Sequence, residues 1–162
     1  MIRILVAMER EGEALGLPFE VINIGGTSIP PLNSDDIIVN VGYCGSERVP
    51  VGMVVEPLVS VDSETGESVK LDAHFPCSHA VCITSPEFVS EPPAIASQWS
   101  RSPIIYDMEL AKLVRIPCKA LYSLKIVSDS LNEDDCEAFS DADAWNRVRE
   151  MILSQLSITQ PE

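Results

Sequence analysis

Short apolar runs, each followed by a polar or glycine-bearing break, set the rhythm of this chain, and their lengths suit buried strands better than long helices. Ile2 to Met8 is the first, with Ile4, Leu5 and Val6 uninterrupted before the polar Glu9-Arg10-Glu11. Glu20 to Ile24 is a second, ended by Gly25-Gly26, and the Ile29-Pro30-Pro31-Leu32-Asn33 stretch that follows can be neither helix nor central strand. Asp36 to Val41 (DIIVNV) is the clearest core strand, and Gly42-Tyr43-Cys44-Gly45-Ser46 after it predicts a chain reversal with exposed amides. Val51 to Val61 is β-rich and leads through the polar Asp62 to Ser68 tip into Val69 to Leu71, a hairpin pattern.

Ala80 to Thr84 (AVCIT) and Ile104 to Tyr106 are brief buried strands, separated by Pro92-Pro93 and a short turn or helix over Ala94 to Trp99. Asp107 can cap a helix carrying Met108, Leu110, Ala111, Leu113 and Val114, which Pro117 stops. Ala120 to Val127 (ALYSLKIV) is the last strand, with Ser128-Asp129-Ser130 at its C-terminal end, the edge where open parallel sheets bind ligands. A closing helix over Asp141 to Leu156 places Trp145, Val148, Ile152 and Leu156 at three- and four-residue steps for burial against the sheet. This order predicts an α/β fold: a single domain over residues 1-156 with a central mixed, largely parallel sheet flanked by helices, then a tail over 157-162. The Val51 to Leu71 section supplies the antiparallel part.

Composition narrows the partners. The 162 residues suit one core, and 46% hydrophobic against 22% charged residues rules out wholesale disorder. The net charge of -14 and the loose cationic set Lys112, Arg115 and Lys119 argue against nucleic acid. Five cysteines without a CxxC pair point to reduced thiols in the cytoplasm, and the opening apolar run is too short for a secretory signal or membrane span. His74 and His79 have no third ligand at metal-binding spacing, Cys44 has no histidine nearby to make a dyad, and Asn23 to Thr27 lacks the Lys-Ser/Thr ending of a phosphate loop. No metal and no cofactor is expected.

Four segments carry more specific chemistry: Ile4-Leu5-Val6-Ala7-Met8-Glu9-Arg10-Glu11, Ile38-Val39-Asn40-Val41-Gly42-Tyr43-Cys44-Gly45, Tyr106-Asp107-Met108-Glu109 and Ile126-Val127-Ser128-Asp129. In this order, each hanging from a strand end, they resemble the purine nucleoside phosphorylase and nucleosidase superfamily, in particular its 5′-methylthioadenosine/S-adenosylhomocysteine nucleosidase branch, in a shortened form. The resemblance implies that Glu11 orients the attacking water and that Glu109 accepts hydrogen bonds from ribose hydroxyls, with Met108 beside the sugar. It further implies that Asp129 protonates purine N7 with Ser128 holding its carboxyl group, that Phe88 stacks on the base, and that the Gly42 turn approaches the nucleoside. It implies a small-molecule purine nucleoside as partner and a homo-oligomer as the assembly.

Carboxylates suit such chemistry on general grounds. Breaking an N-glycosidic bond builds positive charge on the sugar and negative charge on the departing base, so one acid must give a proton while another negative group orients water. Taken singly, the residues also have plainer readings: Glu11 as a solvated residue at a helix start, Glu109 as a helix-dipole partner, Asp129 as a turn cap, Phe88 as core, and Gly42 and Gly45 as a tight turn without ligand. The expected activity is hydrolysis of a purine nucleoside or 5′-thio-nucleoside. Phosphorolysis is disfavoured because no arginine matches a phosphate-holding position. The alternative is a shortened, weak or inactive nucleoside-binding or assembly protein, suggested by the loss of family elements between Glu11 and Asp36 and by Ser85-Pro86-Glu87, where the family usually has an Asp.

Overall fold

The computed structural model describes residues 1–157. In chain order it runs β1 (Ile2–Val6), α1 (Glu9–Leu15), β2 (Glu20–Val21), β3 (Ile37–Gly45), β4 (Val54–Asp62), β5 (Ser68–Lys70), β6 (Ser78–Thr84), β7 (Ile104–Asp107), α2 (Leu110–Leu113), β8 (Ala120–Asp129), α3 (Glu133–Ala138) and α4 (Ala142–Leu156), with 3-10 turns at Ile24–Gly26 and Ala94–Trp99. This is an α/β domain over one mixed eight-stranded sheet. The tail expected after Leu156 falls, from residue 158 on, outside the described residues.

The neighbour order β2-β1-β3-β7-β6-β4-β5 is joined by β8, which pairs with both β3 and β4. Strands β3, β8, β4, β6 and β7 therefore form a closed ring, sealed by a single pair between Gly45 and Tyr106. β1, β3 and β8 run parallel, as do β4, β6 and β7, while β3–β7, β4–β5 and β4–β8 are antiparallel. Pro57 lies in β4 at the register shift between Pro57 and Val59, where its missing N–H breaks no ladder.

Alternation along β1 and β3 sorts side chains to the two faces. Ile4, Val6, Val39 and Val41 meet Trp145, Val148 and Ile152 of α4, while Leu5 and Ile38 meet Leu113 of α2. α4 begins where its sequence predicts, with Asp141 Oδ1 accepting from Ala144 N at 3.0 Å. Among the described residues, no helix is long and apolar enough to cross a membrane.

Two local expectations are corrected. β3 does not reverse at Gly42; it stays paired with β8 through Cys44, because Tyr43 suits a strand and the pairing with Lys125, Ile126 and Val127 outweighs the weak strand preference of glycine. The second strand stops at Val21, since Asn23 takes φ 63 and a 3-10 turn follows in which Gly25 and Gly26 adopt positive φ values of 79 and 66.

Candidate active site

The C-terminal ends of β1, β3, β6, β7 and β8 converge on one cavity of about 430 Å³. Glu11, Phe88, Met108, Glu109 and Asp129 all line it, although they come from four separate stretches of chain. That volume falls in the usual range for small-molecule sites.

Glu11 sits in the first turn of α1 and is 2% exposed. Its Oε1 accepts from Met8 N at 2.9 Å and its Oε2 from Tyr43 N at 2.8 Å, so one carboxylate bridges the end of β1 to β3. Gly42 explains the close approach: a Cβ there would stand 2.8 Å from Glu11 Oε2. Gly42 thus acts behind Glu11 and does not itself line the cavity. Burial pushes the Glu11 carboxyl above its ordinary range, against the pull of the Tyr43 amide and the Lys125 charge.

Glu109 follows β7 at the entry to α2, where its Oε2 accepts from Gly25 N at 2.8 Å. Lys112 Nζ donates to the carbonyl of the same Gly25, tying the 3-10 turn to α2 from both sides of one residue. Burial, reinforced by the negative Asp107, pushes the Glu109 carboxyl up to about 7. Met108 lies beside it on the cavity wall.

Asp129 ends β8, is 1% exposed, and neither of its carboxylate oxygens has a hydrogen-bond partner among the described residues. Burial raises its carboxyl to about 6; the Leu131 amide, outside hydrogen-bond geometry, tempers the rise, and Asp135 adds to it. A Cβ at Gly45 would lie 2.8 Å from Asp129 Oδ1, so this second glycine makes room for the second acid. The two glycines of the Gly42-Tyr43-Cys44-Gly45 segment serve two different carboxylates, one reached from each side.

Ser128 is a correction. Its hydroxyl donates to the Cys44 carbonyl and to Cys136 Sγ, both at 3.3 Å, and it does not hold the Asp129 carboxyl group or line the cavity. Ser128 is the extra residue at the irregularity where Cys44 pairs with Val127 and Gly45 with Asp129, and its hydroxyl is spent on Cys44 and Cys136 instead of on the Asp129 carboxyl. The other five residues expected at the site, with Glu11, are on the cavity or, for Gly42, directly behind it.

Beneath the acids lies a pair that sequence reasoning did not single out. Lys125 Nζ is 3.1 Å from Asp107 Oδ2, with both side chains at most 1% exposed. Asp107 also accepts from Thr84 Oγ1 at 2.5 Å and from Leu110 N at 2.9 Å, so its predicted capping role is met along with the ion pair. Burial works against the Asp107 charge, but Lys125 and these donors outweigh it and hold the carboxyl below its usual range. Burial likewise opposes the Lys125 charge, and Asp107 and Glu109 raise its pKa above the ordinary value. The signal was present in the sequence: a lone lysine inside the apolar ALYSLKIV run requires a buried partner.

The far wall is built by α3, after Leu131 with its positive φ of 68. Arg10 holds this wall, donating to the Cys136 carbonyl at 3.2 Å and lying 4.8 Å from the Tyr43 ring centre. Tyr43 Oη in turn accepts from Trp145 Nε1 at 3.0 Å, linking α3, β3 and α4. The Cys44 thiol is pushed well above its ordinary value by burial, as a structural cysteine should be. Among the described residues, no group of three or more His, Cys, Asp or Glu side chains is arranged to hold a metal ion.

No family model matches the sequence, and no curated protein matches it. Solved structures do share its fold. A Streptococcus pneumoniae MTA/SAH nucleosidase in complex with 8-aminoadenine superposes with a TM-score of 0.73 at 18% identity, covering 98% of this chain and 99% of that one. A Chlamydia trachomatis MTAN bound to MTA gives 0.71 at 16% identity over 96% and 97%. A mutant futalosine hydrolase from Helicobacter pylori gives 0.68 at 12% identity over 96% and 98%. At such identities the likeness is one of fold.

Proposed function

We propose that this protein hydrolyses the N-glycosidic bond of a purine nucleoside or 5′-thio-nucleoside. The observation that carries the reading is the convergence of Glu11, Glu109 and Asp129 on one cavity of about 430 Å³. The nucleosidases and the futalosine hydrolase that share the fold support it as fold-level analogy.

In this mechanism the base lies against Phe88 with its N7 at Asp129. A carboxyl group raised to about 6 retains a proton near neutrality in a useful fraction of molecules, and among the described residues it has no competing partner to surrender first. Protonation at N7 turns the leaving group from an anion into a neutral purine as the C1′–N9 bond breaks. Glu109 accepts from the ribose hydroxyls, keeping the sugar fixed while positive charge grows at C1′. Glu11, on the sugar side, orients water toward C1′ and takes its proton, and its negative charge opposes the oxocarbenium charge. The Lys125–Asp107 pair positions Glu109 through the Leu110 amide, which fixes the short link between the end of β7 and α2 on which Glu109 stands.

The test is incubation with adenosine, inosine, methylthioadenosine and adenosylhomocysteine, with chromatography for free base. Release from at least one of them is expected, and Asp129→Asn should lower it by about 100-fold or more. Base release no greater than in buffer would count against the reading, and saturable binding without turnover would favour the alternative of an inactive nucleoside-binding relative.

A further inference from the structure

A second hollow, of about 370 Å³, lies where β4, β6 and β7 begin, and it shares no lining residue with the candidate active site. Arg48, Arg101, His79, Ser78 and Ser102 supply its polar wall, and no Asp or Glu lines it, on a chain whose net charge is -14. Two acids stand near. Glu56, 1% exposed, spends its oxygens on His74 N, Phe75 N and His79 Nε2, the last at 3.4 Å, and Glu47 lines the smaller adjoining hollow. The other wall is apolar, with Val49, Met53, Val55 and Pro103. Met53 and the neighbouring Val51 are 36% and 49% exposed, two of five large apolar side chains so open among the described residues.

Both arginines are exposed, so water meets their charge in the free protein, and the case rests on how they are placed. The fully buried Ser46 donates through Oγ to the Ile104 carbonyl at 2.7 Å and accepts from Arg48 N at 3.3 Å and Val49 N at 3.0 Å, fixing the chain at Arg48 against the start of β7. Arg48 Nη1 donates to the Ser100 carbonyl at 3.4 Å, which brings its guanidinium to the turn that carries Arg101. That bond uses one of its donors and leaves the rest of the fork open.

Two guanidinium forks, two hydroxyls and an apolar wall match an oxyanion carried on an apolar body. We propose that this hollow binds a small organic phosphate monoester, its phosphoryl oxygens on Arg48 and Arg101 and its organic body against Met53 and Val55. A tetrahedral dianion offers enough oxygens to engage two forks and a hydroxyl at once, more than a carboxylate does. A volume of about 370 Å³ suits a ligand of metabolite size. The inference is independent of the hydrolase reading above, because the hollow lies apart from that cavity and its test reads binding alone.

The experiment is a calorimetric titration with phenyl phosphate beside benzyl alcohol and inorganic phosphate, in about 0.1 M salt, where charges more than about 10 Å away are screened. Phenyl phosphate should bind at least about tenfold tighter than either comparison compound, since each lacks one half of what the hollow recognises. Amide NMR shifts should fall on Ser78, Arg101 and Ser102 and spare Tyr43 and Gly45. An Arg48→Gln, Arg101→Gln double variant should weaken phenyl phosphate by about tenfold or more. Met53→Ser should weaken phenyl phosphate and leave inorganic phosphate unchanged. All three side chains are exposed, so the variants should keep the wild-type urea midpoint.

Phenyl phosphate binding no tighter than inorganic phosphate would overturn the proposal, as would full affinity in the double-arginine variant or shifts confined to the active-site cavity. A phosphoserine peptide binding about tenfold tighter than phenyl phosphate would overturn it in favour of a protein partner.

Discussion

Asp129→Asn should make the protein more stable at neutral pH while impairing the proposed chemistry. The folded carboxyl, at about 6 against 3.8 for an unhindered one, binds its proton more tightly than the unfolded chain does. Between those two values the folded state holds more protons, so stability falls as pH rises through the window and levels off above it. A displacement of about two pH units corresponds to about 3 kcal/mol. Water in the open cavity screens part of this, making about 2 kcal/mol a reasonable working figure. Asn keeps the shape and an unpartnered polar group but removes the charge. Below about pH 4 the acid is protonated in both states and the stability gap between wild type and variant should be at its smallest. Above pH 6 the variant should lead by roughly 2 kcal/mol more than it does in acid, or about 4–8 °C in Tm for a chain of this size. Urea unfolding of both proteins from pH 3.5 to 7.5 measures the gap directly. If it does not widen with pH, or widens in favour of wild type, Asp129 is not an uncompensated buried acid.

Other changes probe the support of the site. Gly42→Ala places a Cβ 2.8 Å from Glu11 Oε2, and Gly45→Ala places one 2.8 Å from Asp129 Oδ1. Each should cost about 1–3 kcal/mol and about tenfold or more in any nucleoside cleavage, read by urea melts and by base release. Lys125→Met strands Asp107 as an unpaired buried charge and should lose about 3–5 kcal/mol. Adding Asp107→Asn should recover a substantial part, and a double-mutant cycle lacking coupling would contradict the ion pair's role. Cleavage of neutral nucleosides should decline above about pH 6 as Asp129 gives up its proton, and a profile flat from pH 5 to 9 would exclude it as the acid.

Strand positions were legible because their apolar runs are short and bounded: β6, β7 and β8 begin or end within two residues of the sequence reading, and α4 starts one residue after the expected Asp141, which caps it. What could not be read was pairing. Closure of β3, β8, β4, β6 and β7 into a ring depends on contacts between strands distant in sequence, and the single Gly45–Tyr106 pair that seals it has no local signature. Gly42 and Gly45 were read as a reversal because glycine is equally at home in turns, while their actual task is to leave space for carboxylates arriving from α1 and β8. The acids themselves were found through resemblance, since an isolated Glu at a helix start is ordinarily exposed. Lys125 and α3 were missed for opposite reasons: the lysine was hidden in an apolar run, and the helix, with no buried residue, lacks any apolar stripe.

The closed ring also shapes what the molecule presents to its neighbours. Of the strands, β2 and β5 end the order, and they span only two and three residues. A growing fibril needs a long, bare ladder of amides to copy, and these two ends provide hardly one turn of it, with Lys70 placed on the outer one. Among the described residues the sheet thus ends, on both sides, in strands too short to serve as a template for another chain.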